Sequence, residues 1–335
     1  MGKEWRKRLK PYAQANHRKA WFQILNTVVP YFVLLGLMGT TIIMGLPYWL
    51  TFLMAIPTGA FMVRSFILFH DCTHMSFFKT AKGNRIMGHL LSIIVFTPYT
   101  IWQSEHNKHH GAVGNLDDRG VGDVWTMTVE EYDASTSLIK LKYRIFRHPI
   151  FLFFIAPFLL FGIRHRLPSR KFTTKEHHIS HMITNAGILV FAVVTGMTIG
   201  LKNYFLIQLP VLYFASTMGV WLFFVQHQFE EVYWERHGEW DLVKASIEGS
   251  SFYKLPSVLE WVSGYIGYHH IHHLNPRIPN YHLKKCYRDI HEFKNGRTIE
   301  FLESFKLALL NLYDEKNNRL IRIRDLKKYR LDGSI

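Results

Sequence analysis

The sequence predicts an all-α integral membrane protein, four transmembrane helices with a cytosolic helical cap. Three observations predict it. The 335 residues are 48% hydrophobic, yet mean hydropathy is only +0.01, so the apolar residues are gathered into blocks. Strand-like alternation is nearly absent along the chain,. Twenty histidines fall mostly in short clusters, each just beyond an apolar block.

Residues 1–19 are basic and read as a retained cytosolic N-terminus: they are too charged for a signal peptide, and the opening MGKEWR lacks the Ser or Thr that myristoylation favours,. From Ala20 to Val63 no residue is charged. A hydrocarbon core of about 30 Å takes roughly 20 helical residues to cross, so this run supplies two crossings. They turn near Gly45-Leu46-Pro47. Met182–Leu201 and Asn203–Phe229 supply one crossing each, turning near residues 200–203. The expected organisation is one domain over residues 1–335, with transmembrane hairpins at 20–69 and 182–229. Residues 70–181 and 230–335 are then cytosolic and interfacial. Two shorter apolar stretches, Ile86–Ile101 and Ile150–Ile163, suit interfacial or re-entrant segments better than full spans,. The stretch IEFLESFKLALLNLYDE, from Ile299, has apolar residues every three or four positions and predicts an amphipathic helix,.

Net charge is +15. The basic residues flank the spans, at 6–19, 140–175 and 284–330, which is the positive-inside pattern and explains the charge without nucleic acid,. Both termini are therefore expected on the cytoplasmic side. Cys72 and Cys286 offer no disulfide framework, and a reducing compartment fits,.

His70 and His74 sit in FHDCTH, where the second span ends; residues four apart share a helix face and can reach one metal,. His106, His109 and His110 sit in SEHNKHH, and His269, His272 and His273 in GYHHIHHLNP, both with H-x-x-H-H spacing. His227 lies in FVQHQFE at the cytosolic end of the fourth span. The four-span count places all nine imidazoles in one layer under the bilayer, enough for two metals with four or five ligands each. The cap is thus expected to carry a histidine-rich di-metal site. Neutral imidazole suits iron, zinc or copper. His177 and His181 form a lone i, i+4 pair and read as structural; His270 occupies an x position and should point away from the metals. A metal transporter would line its spans with ionisable groups. The first two uncharged runs hold no histidine, which argues against transport.

HDCTH, HNKHH and HHIHH resemble the three histidine boxes of the membrane fatty acid desaturases, and His227 falls where that family has an additional ligand. TPYTIWQSEHNKHH, GNLDDRGVGDVWTMTVEEY, QHQFEEVYWERHGEWD, EGSSFYKLP and GYHHIHHLNPRIPNYHL are similar to bacterial acyl-lipid desaturases of the Δ5 and Δ12/ω-6 type. Thr73 departs from the glycine common in the first box, at a position that is not a ligand. The resemblance implies a cis double bond introduced into a lipid-linked acyl chain at a bacterial inner membrane. It implies two iron ions, O2 as co-substrate and the active site on the cytoplasmic side. No His-Pro-Gly-Gly haem motif is present, so the implied electron donor is a separate protein of ferredoxin, flavodoxin or cytochrome b5 type. A hydroxylase or ketolase acting on lipids or carotenoids is the alternative on the same boxes. Ligand histidines need partners for their second ring nitrogen, and Asp71, Glu105 and Asp123 are the candidates by position. The aromatics Tyr99, Trp102, Trp125 and Tyr268 lie near the boxes, but substrate contacts stay unassigned.

Overall fold

The computed structural model describes residues 3–120, 122–169 and 173–331. The two residues at the N-terminus, read above for acylation, lie outside them. Among the described residues, four helices are long and apolar enough to cross a membrane: His17–Ile43, Tyr48–Thr73, Lys175–Ile199 and Leu201–His227. Each begins where a cap or turn dictates. The side chain of Asn16 accepts from the Lys19 amide, and that of Thr174 from the His177 amide. Gly45 (φ 66°) and Gly200 (φ 88°) take the left-handed conformation that tight reversals between successive helices require,. Both turns lie at the end opposite the histidines. The spanning helices overrun the charge-free blocks at their histidine-side ends, because helix continues into the layer where charged side chains meet water.

The second and fourth spanning helices form the centre of the bundle. Gly59 permits their close approach, since a Cβ there would stand 3.1 Å from both the Ala215 amide nitrogen and the Phe214 Cβ. Around it Ala55, Met62, Val63, Val211, Leu212 and Ala215 are buried. The third spanning helix is peripheral, with Leu189, Val190, Val194 and Met197 exposed along it. A surface of that length and apolarity needs lipid around it.

The two shorter apolar stretches are broken rather than straight. The first is divided between Ala81–Ile94 and Tyr99–Ala112. Gly88 lets them meet, because a Cβ there would lie 2.1 Å from the Tyr99 ring. The second follows the helix Ser137–Phe146 across a bend of 59°. The cap is helical with small strand additions. Phe252–Lys254 pairs in parallel with Thr298–Glu300. Met127–Thr128 pairs in parallel with Leu312–Asp314, which runs antiparallel to Arg319–Ile321.

One expectation fails here. Residues 299–315 form no continuous amphipathic helix: a strand, the four-residue helix Ser304–Leu307 and a second strand divide the segment. Its apolar positions are met by distant partners, Ile299 beside Tyr253 and Leu312 beside Ile321. Nonlocal pairing overrides the local 3.6-residue period.

Candidate metal centre

The nine histidines singled out in the sequence converge. His70 is in the last turn of the second spanning helix and His74 directly follows it. His106, His109 and His110 lie on the inner face of the Tyr99–Ala112 helix. His227 ends the fourth spanning helix, and His269, His272 and His273 occupy the short helix His269–Leu274. None of the nine is more than 8% exposed.

Two groups of ring nitrogens form. One nitrogen from each of His70, His74, His106, His110 and His272 lies within 4.8 Å of the others. His109, His227 and His273 make a second such group. His269 belongs beside it, its Nε2 3.2 Å from that of His227 and 3.1 Å from that of His273. The groups adjoin, with the rings of His110 and His273 stacked 4.2 Å apart.

Hydrogen bonds on the far side of the rings fix which nitrogen faces inward. His227 Nδ1 lies 2.9 Å from the Phe223 carbonyl, which can only accept, so that ring carries its proton on Nδ1,. His109 Nδ1 lies 2.6 Å from an Asp123 carboxylate oxygen and is likewise the donor. Asp71 holds His70 Nδ1 at 3.3 Å while its other oxygen accepts from the Asn280 amide at 2.7 Å. In the neutral rings the Nε2 atoms of His109 and His227 are thus both bare lone pairs, yet they face each other at 3.1 Å. The Nε2 of His273 also approaches that of His227, at 2.9 Å. Bare lone pairs in contact repel unless a cation lies among them. Burial, then the neighbouring rings, push His106, His110, His269, His272 and His273 well below the ordinary imidazole range. An all-nitrogen set of neutral rings fits transition-metal cations.

Asp123 is half-buried; burial opposes its ionisation, but His109, His227 and the Gly120 amide hold its carboxyl below the usual carboxylate range. It therefore keeps its charge beside His109. Of the three acids expected to orient ligands, Asp71 and Asp123 touch a histidine ring. Glu105 lines a cavity beside Trp102. His270 is buried but turned away from both groups, against Tyr287 and Phe293. His181 meets Asn185 at 3.1 Å, away from the centre. Among the aromatics, Trp102 stacks on His106 at 4.1 Å, and the Tyr99 hydroxyl donates to the Cys72 carbonyl at 2.9 Å. Tyr268 stacks on Phe252 and donates to Glu260, and Trp125 packs edge-on to Tyr143.

Sequence reasoning missed Arg147, which read as one cation in a basic run. Its guanidinium is 1% exposed and donates to Thr126 Oγ1 (2.9 Å), Gln228 Oε1 (2.9 Å), the Leu310 carbonyl (2.7 Å) and the Trp125 carbonyl (3.3 Å). It thereby joins the segment following Asp123 to the residue following His227.

Four apolar helices, two of which end on a buried polyhistidine cluster of two groups, define an integral-membrane protein with a metal centre. Comparison with known proteins gives the family. The fatty acid desaturase family model matches residues 46–299. A fatty acid desaturase of Bacillus subtilis (strain 168) is 38% identical over 325 residues, covering 97% of this chain and 92% of that protein. The sn-1 oleoyl-lipid 12-desaturase of Anabaena variabilis is 28% identical over 83% of this chain and 78% of its own. A chloroplastic omega-6 fatty acid desaturase of Brassica napus is 26% identical over 90% and 67% respectively. The chain belongs to the fatty acid desaturase family and is an oxidoreductase acting on fatty acids.

Proposed function

We propose that this chain introduces a cis double bond into the acyl chain of a membrane lipid at a centre of two irons, using O2 and electrons from a separate donor protein. The balance is a saturated CH2–CH2 unit, O2, two electrons and two protons in, and CH=CH with two waters out. His70, His74, His106, His110 and His272 would hold one iron, and His109, His227, His269 and His273 the other. Iron so held supplies the redox power to remove hydrogen from an unactivated methylene, which no side chain has and which zinc lacks.

The protein's own residues orient the donors and keep the site dry. Asp123, Asp71 and the Phe223 carbonyl pin three rings with Nε2 inward, which raises ligand basicity and fixes the tautomer,. Trp102 and Phe223 pack against the rings, with Phe69 behind Trp102, and this apolar wall excludes water. Every histidine of the centre is at the end of the bundle that carries the basic flanks, which supports a cytoplasmic active site in a bacterial inner membrane,. The acidic donor expected at such a face is of ferredoxin, flavodoxin or cytochrome b5 type.

The observation that carries the reading is the pairing of two adjoining groups of inward-facing nitrogens in a chain of this family. Its test is expression in a host that makes no polyunsaturated lipids, followed by mass spectrometry of the membrane lipids. The expected product is a new double bond, absent when His109 is replaced by alanine together with part of the bound iron. A hydroxylated product, or an unchanged lipid profile from iron-loaded protein supplied with a donor, would overturn it.

A further inference from the structure

Arg64 closes the first charge-free run, yet it stands inside a spanning helix. It lies 16 residues past Tyr48, about 24 Å along the Tyr48–Thr73 helix, which is short of a hydrocarbon core of about 30 Å,. The side chain is 1% exposed. Its Nε donates to Thr27 Oγ1 at 3.0 Å, and Thr27 is itself about 10 Å inside the run that begins at Ala20,. Among the described residues no carboxylate forms an ion pair with Arg64. A cation at this depth is costly, and its retention points to a role.

Its other contacts belong to the chain that leads into His269–Leu274. Nη1 donates to the Trp261 carbonyl, and the guanidinium lies 4.0 Å over the Trp261 ring. Trp261 is in the short helix Ser257–Val262, and the turn after it takes two successive left-handed residues, Gly264 (φ 57°) and Tyr265 (φ 62°),. Backbone leaving a helix at hydrocarbon depth has carbonyls that no water serves. Arg64 supplies the donor there. One helical stripe, 64, 67 and 71, continues the contact. Ile67 packs on Gly264, where a Cβ would stand 2.8 Å from Ile67 Cγ2, and Asp71 accepts from the Asn280 amide at 2.7 Å. The stripe thus grips the chain on both sides of His269–Leu274, while the same helix carries His70 and leads into His74.

We propose that Arg64 is a positioning residue for the metal centre: it holds the turn at 261–265 against the second spanning helix and so sets His269, His272 and His273 against His70 and His74. This role rests on the reading of the nine histidines as metal ligands. His272 belongs to one group of nitrogens and His273, with His269 beside it, to the other, so loss of the hold loosens both metals. A merely structural arginine would behave differently, because its removal strands little. The Trp261 carbonyl keeps the Gly264 amide at 3.0 Å, and Thr27 Oγ1 keeps Asn26 Oδ1 at 3.3 Å. Exchanging a buried charge for an apolar chain of similar volume is often neutral to stability.

The test uses the full chain in detergent micelles, stripped of metal and titrated anaerobically with Co2+ against a competing chelator. Visible absorption of the bound Co2+ reports its nitrogen coordination. Arg64→Met should weaken both Co2+ sites about 10-fold or more, the scale on which disturbed ligand support acts, and alter both absorption bands. The Tm of the metal-free protein should change little, and Arg64→Lys, which keeps a donor, should recover part of the affinity. Gly264→Ala displaces the same turn without touching a charge and should weaken both sites likewise, which keeps the role testable if Arg64→Met does not fold. Unaltered Co2+ affinity in Arg64→Met or in Gly264→Ala would overturn it. So would a loss of affinity that tracks a loss of metal-free Tm and that Arg64→Lys does not relieve. Amide exchange over residues 261–274 in the metal-free protein separates this role from the metal reading. If exchange there quickens in Arg64→Met but the wild type binds no Co2+, the metal reading falls and the hold stands. If the wild type binds two Co2+ and exchange in Arg64→Met is unaltered, the reverse holds.

Discussion

Replacing Asp123 tests whether the ring orientations described above matter to metal binding. His109 is 1% exposed and meets the Asp123 carboxylate at 2.6 Å, itself 25% exposed. A hydrogen bond to a charged acceptor contributes about 1.5–3 kcal/mol, and the partial exposure of Asp123 favours the lower half of that range. Asp123→Asn keeps an oxygen that accepts from Nδ1–H but removes the charge; Asp123→Leu removes both. Lost second partners of metal-bound histidine typically cost about 10- to 100-fold in affinity. The asparagine variant should sit near the bottom of that range and the leucine variant near the top. The loss should be confined to one metal per chain, because His109 belongs to only one of the two groups. Titration against a competing chelator, with metal content measured at each step, reads both numbers. Asp117→Asn is the control: the same charge change, in the same connecting segment, at a carboxylate that pairs with Arg236 and the His237 amide instead. Two metals retained with unaltered affinity in Asp123→Leu would refute the orienting role. An equal loss in Asp117→Asn would trace the effect to general charge.

Arg147→Met should destabilise the protein by about 3 kcal/mol or more, since Gln228 Oε1, Thr126 Oγ1 and the Leu310 carbonyl each lose a buried donor worth about 1 kcal/mol or more,. Thermal unfolding in micelles measures this, and a negligible shift would mean the acceptors find other donors. Gly88→Ala should cost about 1–3 kcal/mol by forcing Tyr99 from its place against the Ala81–Ile94 helix,; an unchanged Tm would mean the helices separate without penalty. The acid side of the stability profile should depend on Arg236. Asp117 is held below the carboxylate range by the His237 amide and then Arg236, and Glu315 by Arg236. Carboxylates depressed in the folded state stabilise it fully above their unfolded pKa, and that contribution is lost as pH falls below about 4. Arg236→Gln should therefore lower stability at neutral pH and flatten the decline below that point; a parallel decline in both proteins would contradict it.

What the sequence disclosed and what it hid divide by the range of the interaction. The spans were legible because exclusion of charge from hydrocarbon acts residue by residue; the Gly200 turn falls where two blocks break, and the Gly45 turn falls near the middle of a block twice the length of one crossing. The same signal misplaced helix ends. His17, Arg18 and Lys19 are helical because Asn16 caps there, and Lys175 opens a helix because Thr174 caps there, although the charge-free block starts at Met182. The nine histidines were legible because i, i+3 and i+4 spacing puts rings on one helix face before any tertiary contact exists. Their orientation was only partly so. Asp71 adjoins the ligand it touches, but Asp123 is fourteen residues from His109, and the Phe223 carbonyl is backbone with no side-chain signature. Residues 299–315 misled because short strands paired over long distances are indistinguishable by period from a helical segment.

Arg147 shows the same division at its sharpest. A basic residue in a basic run has a solvated or lipid-facing side chain as its ordinary expectation, and composition offers nothing against that. Its burial is decided by four acceptors from three distant parts of the chain, and their directions exist only after the fold closes. Two of those parts continue directly into Asp123 and His227, on either side of the His109–His227 contact. A buried cation held by two carbonyls, a hydroxyl and an amide oxygen resists displacement because any movement strands several acceptors at once,. The rigidity a metal centre needs beside its ligands is thus supplied by a residue whose sequence context advertises only charge.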